Sequence, residues 1–333
     1  MDKFTFIDLF AGIGGFHSAA TAAGGKCLFA SEIDPSAQKA YEANYRIKSA
    51  GDITKVKTCD IPDHDLLCAG FPCQPFSIMG NRRGFDDMRG TLFYEVARIL
   101  KDKRPPLLIL ENVKQLATHD KKRTLTGILE TLQSLGYKVY WNILNALNYG
   151  LPQKRERTII VGFLDQTVNF SWPPKVECYK RLDEILEQQV ESKHFASERI
   201  QQKRLETHIS KCVPSIWHEN KAGNISSHPY SCALRAGASY NYLLVNGERR
   251  LTPREMLRLQ GFPDSFQIVC TVSETRKQAG NAVPVPMIEA VIREVLYASA
   301  KVERFKEPSW IRTISDRQLP ISRNLRNQQM GCV

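Results

Sequence analysis

The residues Pro72-Cys73-Gln74-Pro75 follow the apolar run Asp65–Gly70 after Phe71, so a cysteine stands in a loop between two prolines. Proline ends the strand and restrains the backbone on either side of the thiol. At the carboxyl edge of a strand such a thiol can serve as a nucleophile, although a Pro-Cys pair taken alone favours a structural role. A second reactive group closes the run Leu107–Glu111: a carboxylate behind Leu-Leu-Ile-Leu is partly desolvated. Desolvation raises its pKa and lets Glu111 hold or share a proton near neutrality; helix capping or a salt bridge would use the same residue. In Gln153-Lys-Arg155-Glu-Arg157 the alternation puts two guanidinium groups on one side of a strand. Such a pair suits a phosphate or a carbonyl, and equally a solvent-facing edge.

A ligand site is suggested by the first strand, which runs into Asp8-Leu-Phe-Ala-Gly12-Ile-Gly14-Gly15. Glycines there let the backbone approach a nucleotide-like ligand, and the following helix start favours an anionic group. The dinucleotide pattern is not met, because His17 occupies the place of its third glycine. Glu32, after the second strand, is placed to accept from ribose hydroxyls, and Asp52 in Gly51-Asp52-Ile53 from an adenine amino group. Adenosine carrying a carboxylate tail, such as S-adenosylmethionine, fits these residues better than NAD.

Short apolar strands alternate with helical stretches over about the first 165 residues, the pattern of parallel βαβ units. Strands are expected at Phe4–Phe10, Cys27–Ser31, Asp65–Gly70, Leu107–Glu111, Lys138–Asn145 and Thr158–Leu164. Helices are expected at Phe16–Ala23, Pro35–Asn44, Thr91–Asp102 and Thr124–Leu135, the last stopped by Gly136. From about Asn169 the pattern breaks into an irregular segment running to about Leu251. Thr252-Pro253-Arg254-Glu255 then opens a helix that stops at Gly261, and a further helix runs from Pro284/Pro286 to Ala300. The basic tail beyond about Glu307 is expected to be loosely ordered.

The chain carries 333 residues and a formal charge of +11, with small basic clusters at Arg82-Arg83, Lys121-Lys122-Arg123, Lys154–Arg157 and Arg249-Arg250. That excess is compatible with a polyanionic partner, and the absence of interleaved aromatics argues against a single-strand stacking groove. The nine cysteines form no Cys-x-x-Cys pair, which argues against a disulfide framework and a structural zinc site, and no metal is expected. With no long apolar run and no signal-peptide layout, a cytoplasmic protein without membrane contact is expected.

Taken in order, Phe10-x-Gly12-x-Gly14, Pro72-Cys73-Gln74, Glu111-Asn112-Val113, Gln153-x-Arg155-x-Arg157, Arg254-Glu255…Gln260-Gly261-Phe262-Pro263 and Gly280-Asn281-Ala282-Val283-Pro284 resemble the successive motifs of DNA cytosine-C5 methyltransferases. The similarity is to the small bacterial modification type and covers all but about residues 169–240 and the tail after about 305. It implies an α/β fold: a Rossmann-like S-adenosylmethionine-dependent domain with a mostly parallel twisted sheet, plus a smaller irregular target-recognition domain. The expected division is 1–168 with 275–305 for catalysis, 169–274 for recognition and 306–333 as a tail. Where relatives often carry Thr-Leu near the end of the recognition segment, this chain has Ala233-Leu234.

The resemblance implies that Cys73 adds to C6 of cytosine, that protonated Glu111 hydrogen-bonds N3, that Arg157 donates to O2 and that Arg155 supports it or a phosphate. It places Phe10, Ala11, Gly12, Ile13, Gly14, Gly15, Glu32, Ile33, Asp52, Ile53, Gly70, Pro72, Leu92, Asn281 and Ala282 against the cofactor, with Phe10 along the adenine or methionine part and Asn281 near the carboxylate end. Phe76–Arg89 is expected to close over the DNA, with Gln74, Ser77, Arg82, Arg83 and Arg89 as DNA contacts. The implied partner is double-stranded DNA, bound by a monomer that protects sites from a cognate restriction endonuclease. An RNA cytosine methyltransferase on the same scaffold is the alternative, although the tRNA-acting type carries a Cys-Phe-Thr tripeptide that is absent here. A non-catalytic DNA-binding relative is the other.

Overall fold

The computed structural model describes residues 4–72 and 92–306, with side chains as far as Lys301. Cys73, Gln74, Ser77, Arg82, Arg83 and Arg89 therefore lie outside the described residues, as does the tail from 307. The first half builds β1 (Phe4–Leu9), α1 (Gly15–Ala22), β2 (Gly25–Ser31), α2 (Pro35–Tyr45), β3 (Leu66–Ala69), α3 (Leu92–Lys103), β4 (Leu107–Val113), α4 (Arg123–Ser134), β5 (Lys138–Asn145), β6 (Gln153–Lys154) and β7 (Glu156–Phe163). Six of these strands form one sheet in the order β2-β1-β3-β4-β7-β5. Its first four strands run parallel, and β7 is antiparallel to both neighbours, so the sheet is mostly parallel as expected.

The parallel strands read as continuous apolar runs because both faces are covered. Alternation still assigns each side chain to a face. Phe4, Phe6, Leu66, Cys68, Leu107 and Ile109 join the core under α1. Ile7, Leu9, Leu67, Ala69, Leu108 and Leu110 join the opposite core with Phe93, Val96, Leu100, Ile128 and Leu132 of α3 and α4. Glu111 continues the Leu107–Ile109 row beyond the last apolar layer. Helix ends follow local chemistry: Asp34 Oδ1 accepts from the Ser36 and Ala37 N–H groups to cap α2, and Gly136 at φ 91° follows α4.

The second half contains α5 (Glu198–Thr207), β8 (Ile216–Glu219), β9 (Ile225–His228), β10 (Ser231–Cys232), β11 (Leu243–Val245), α6 (Pro253–Gln260), α7 (Val272–Asn281) and α8 (Val285–Lys306). Strands β11, β8 and β9 form a small antiparallel sheet, and β10 pairs with β6. A third core gathers Leu182, Ile216, Leu234, Tyr242, Val245, Leu251, Met256 and Leu259. Helix α6 straddles two cores, since Leu257 packs on the α1 side with Phe262 and Phe266. Helix α8 returns to the sheet, where Met287, Ile288, Val291 and Val295 share a core with Phe16, Ala19 and Ala20 of α1. Within the described residues no helix is long and apolar enough to cross a membrane.

Candidate active site

Parallel strands β1, β2, β3 and β4 all deliver their carboxyl ends to one edge of the sheet, where open α/β sheets bind ligands. At the end of β1 the chain turns sharply, with Phe10 and Gly12 at φ 55° and Gly14 at φ 82°. A positive φ is rare for an aromatic residue and marks local strain at a working turn. A Cβ at Gly12 would meet nothing within 4 Å, so the turn opens onto empty space that a ligand can fill. Glu32 holds this turn: its Oε2 accepts from the Gly12 N–H and its Oε1 from the Asp34 N–H, both at 2.8 Å.

A cavity of about 370 Å³ opens from the turn. Phe10, Ala11, Gly12 and Gly15 line it from β1; Glu32, Ile33, Asp52 and Ile53 from the next two turns; Gly70 and Pro72 from behind β3. Leu92, Asn281 and Ala282 complete the set expected from the sequence. Ile33 is 67% exposed, an apolar ledge that a flat ring would cover. Asp52 Oδ1 accepts from the Thr54 N–H and hydroxyl, bonds that hold its pKa below the usual value. Apolar ledges, two carboxylates and a side-chain-free turn fit an adenosine carrying a charged amino-acid tail. Ile13 and Gly14 are not part of the cavity wall: Ile13 is buried in the core, and a Cβ at Gly14 would strike the Tyr45 ring at 2.2 Å.

Glu111, Arg155 and Arg157 reach the same cavity. Arg157 Nε meets Glu111 Oε1 at 2.8 Å, with the two side chains 13% and 10% exposed. Burial pushes the Glu111 carboxyl upward, and the cations of Arg157 and Arg155 only partly offset that push. Gly70 lies beside the carboxylate, where a Cβ would sit 3.6 Å from Glu111 Oε2, at ordinary contact distance. Arg155 is 1% exposed and spends its guanidinium on main-chain carbonyls: Leu234 at 2.8 Å, Gly280 at 2.9 Å and Ala282 at 2.8 Å. Burial and the neighbouring Arg157 pull its pKa down to about 9, which leaves it cationic at neutral pH. Of the ligands considered from the sequence, the carbonyl fits Arg155 in this structure.

Sequence reasoning quoted Asn112 only within the Glu111-Asn112-Val113 motif, without a role, and did not single out Lys277 or Gln278; all three line the cavity. Asn112 Nδ2 donates to the Phe71 carbonyl at 2.8 Å and so holds the backbone two residues before Cys73. Lys277 pairs with Asp34 at 2.6 Å and Gln278 Nε2 donates to Ser36 Oγ, tying α7 to the start of α2. Asn112 was visible as the residue after Glu111; Lys277 and Gln278 carried no signal, because their pairing is between segments far apart in sequence.

A family of C-5 cytosine-specific DNA methylases matches residues 4–297. The chain is 54% identical over 309 residues to the Type II methyltransferase M.NgoBI of Neisseria gonorrhoeae, covering 92% of this chain and 96% of that protein. It is likewise 54% identical over 295 residues to the Type II methyltransferase M.HaeII of Haemophilus aegyptius, covering 87% of this chain and 92% of that protein. Among solved structures, a DNMT2 mutant from Spodoptera frugiperda shares the fold with a TM-score of 0.70 at 18% identity, covering 88% of this chain and 99% of that one.

Proposed function

The chain belongs to the C-5 cytosine-specific DNA methylases, and from that premise we propose that Cys73, Glu111 and Arg157 act together on a cytosine turned out of duplex DNA. The enzyme is a DNA cytosine-C5 methyltransferase. The observation that carries the residue assignment is the buried Glu111–Arg157 pair opening into the same cavity as Pro72, the neighbour of Cys73. Cytosine C5 is a poor nucleophile, so covalent addition is needed to divide one hard step into easier ones. The Cys73 thiolate adds to C6, and negative charge moves into the ring. Glu111 supplies a proton or hydrogen bond to N3 and accepts from the exocyclic amine, a pattern that thymine cannot match. Arg157 donates to O2. Once C5 has gained its methyl group, a base takes the C5 proton, the electron pair of that C–H bond forms the C5–C6 double bond, and the Cys73–C6 bond breaks to release the thiolate and restore the aromatic ring. The target must leave the base stack for any of this to occur.

Phe10, Gly12, Glu32, Ile33, Asp52 and Asn281 would hold S-adenosylmethionine, which when bound supplies an electrophilic methyl on its sulfonium. Arg155 acts at one remove, as a positioning residue: its carbonyl contacts tie the strand bearing Arg157 to the segments on either side of Asn281 and to Leu234. Segment 169–274 is assigned target recognition, and the segment bearing Gln74, Ser77, Arg82, Arg83 and Arg89 the grip on DNA. The relatives' names, Type II methyltransferases, support a modification enzyme of a restriction system; a monomer and a cognate endonuclease belong to this proposal. Incubation with labelled S-adenosylmethionine and either duplex DNA or RNA tests the reading. Label at cytosine C5 of the duplex is expected; label in RNA alone, or in neither, refutes it.

A further inference from the structure

Outside the cavity described above, three guanidinium groups gather over two tyrosine rings. Arg250 and Arg276 stand 5.0 and 4.8 Å from the centre of Tyr240, and Arg235 stands 4.8 Å from the centre of Tyr242. With Lys193 they border a second cavity of about 190 Å³ whose floor includes Leu234, and no carboxylate lines it. Among the described residues none of the three arginines has a carboxylate partner in an ion pair, whereas the adjacent Arg249 is paired with Glu255. Arg250 and Arg276 spend one donor each on the carbonyls of Phe195 and Ala238, contacts that orient a guanidinium without cancelling its charge. Cations brought together in this way repel one another, and tyrosine faces offset that only in part. The arrangement is complete when an anion lies across it.

The place of the cluster indicates which anion. Leu234 belongs to its floor and is also bound to Arg155, a wall of the first cavity. Gly280, another wall residue of that cavity, packs so closely that a Cβ there would stand 2.4 Å from the Ala236 nitrogen. The Leu234–Ala236 stretch and helix α7 border both cavities, with Arg276 on the second and Lys277 and Gln278 on the first. A base delivered to the first cavity remains tied to its anionic backbone, and the second cavity is a cationic surface beside it. Resting on the reading of duplex DNA as substrate, we infer that Arg235, Arg250 and Arg276 form a phosphodiester-binding site that grips the strand beside the target cytosine, whatever its base sequence.

The test is the salt dependence of duplex binding by the full chain, comparing wild type with Arg250→Gln/Arg276→Gln and, separately, with Arg235→Gln. Two duplexes are used, one carrying the methylated site mapped by bisulfite sequencing and one lacking it. Each lost phosphate contact should flatten the slope of log affinity against log salt by about 0.9, so that the change in affinity between 50 and 200 mM salt shrinks roughly three- to fourfold per contact. Affinity should fall by the same factor on both duplexes. An unchanged slope overturns the inference, as does a loss confined to the site-bearing duplex, which would make these side chains readers of bases. Arg235 is exposed, so its replacement reports on the site without relying on a side chain packed into the fold. A wild-type protein that methylates no duplex would sink the functional reading itself; intact methylation with an unaltered slope sinks this inference alone.

Discussion

Glu111 sits between opposing influences: removal from water favours its neutral form, and the Arg157 guanidinium at 2.8 Å favours its charged form. Burial prevails, so the carboxyl titrates above the usual carboxylate range. With Glu111 in the proposed role of protonating N3, activity should decline as pH rises through that raised pKa. Glu111→Gln can still donate to N3 and accept from the amine but cannot ionise or deliver a proton; kcat/KM should drop about 10²–10⁴-fold and its alkaline limb should vanish. A pH–rate profile of both proteins checks this, and an unaltered limb in the variant would assign the titration elsewhere. Asp8 makes a separate case. Its carboxyl is fully buried on the core side of β1, and burial raises its pKa well above the ordinary value, against a smaller opposing effect of the His17 backbone. The native state therefore keeps a proton that the unfolded chain gives up above about pH 4. Stability should fall as pH rises from there toward the native pKa, by about 1.4 kcal/mol per unit, and Asp8→Asn should remove that slope. Urea unfolding midpoints at pH 5 and pH 8 decide it: parallel changes in both proteins contradict the account.

At the level of elements, α6 is fastened by a buried pair. Arg249 meets both oxygens of Glu255 at 2.8 Å, and Glu255 also accepts from the N–H groups of Thr252 and Glu187. Thr252 completes a reciprocal cap by accepting from the Glu255 N–H, with Glu255 the third residue of the helix. Removing one member of a buried pair strands the other, so Glu255→Ala should cost about 3–5 kcal/mol, read as a lower denaturation midpoint. A cost under about 1 kcal/mol, as for an exposed pair, would refute this view of α6. The start of α6 was legible in the sequence for the reason it is stable, since Thr252, Pro253 and Glu255 act within one turn. The six strands of the large sheet were legible because runs such as Leu107–Leu110 are apolar on both faces. Helix α7 was not foreseen although Thr271 and Glu274 cap it reciprocally, because its residues are mostly polar and its stability comes from contacts such as Lys277 with Asp34. The small antiparallel strands β8, β9 and β11 escaped for a related reason: three or four residues each are too few to display an alternation. Cys73, Glu111 and the glycine turn stood out through proline, charge and glycine at strand ends, whereas the carbonyl clamp around Arg155 joins residues up to 127 apart in the chain.

Across the whole molecule, the sheet edge that gathers Glu111 and the glycine turn is joined to the smaller sheet through Leu234, whose N–H donates to Gln153 Oε1 at 3.0 Å and whose carbonyl accepts from Arg155 at 2.8 Å. The strand that presents Arg157 and the segment assigned to recognition therefore share one buried polar joint. Arg155→Lys keeps the charge but cannot reach three carbonyls at once, and should lower kcat by roughly tenfold or more while leaving the titration of Glu111 in place. A change in S-adenosylmethionine affinity alone would instead confine its influence to Gly280–Ala282. Exchange of residues 169–250 for those of a relative with another target should move the methylated cytosine, as read by bisulfite sequencing, and an unmoved site would contradict the recognition assignment. The central claim is that the Cys73 sulfur bonds to the pyrimidine. Replacing the target base by 5-fluorocytosine blocks the final loss of the C5 substituent, so a duplex carrying it should become covalently attached to the peptide that contains Cys73, as mass spectrometry would show, and Cys73→Ser should abolish the adduct. Attachment to another residue, or an adduct that survives Cys73→Ser, would contradict the account.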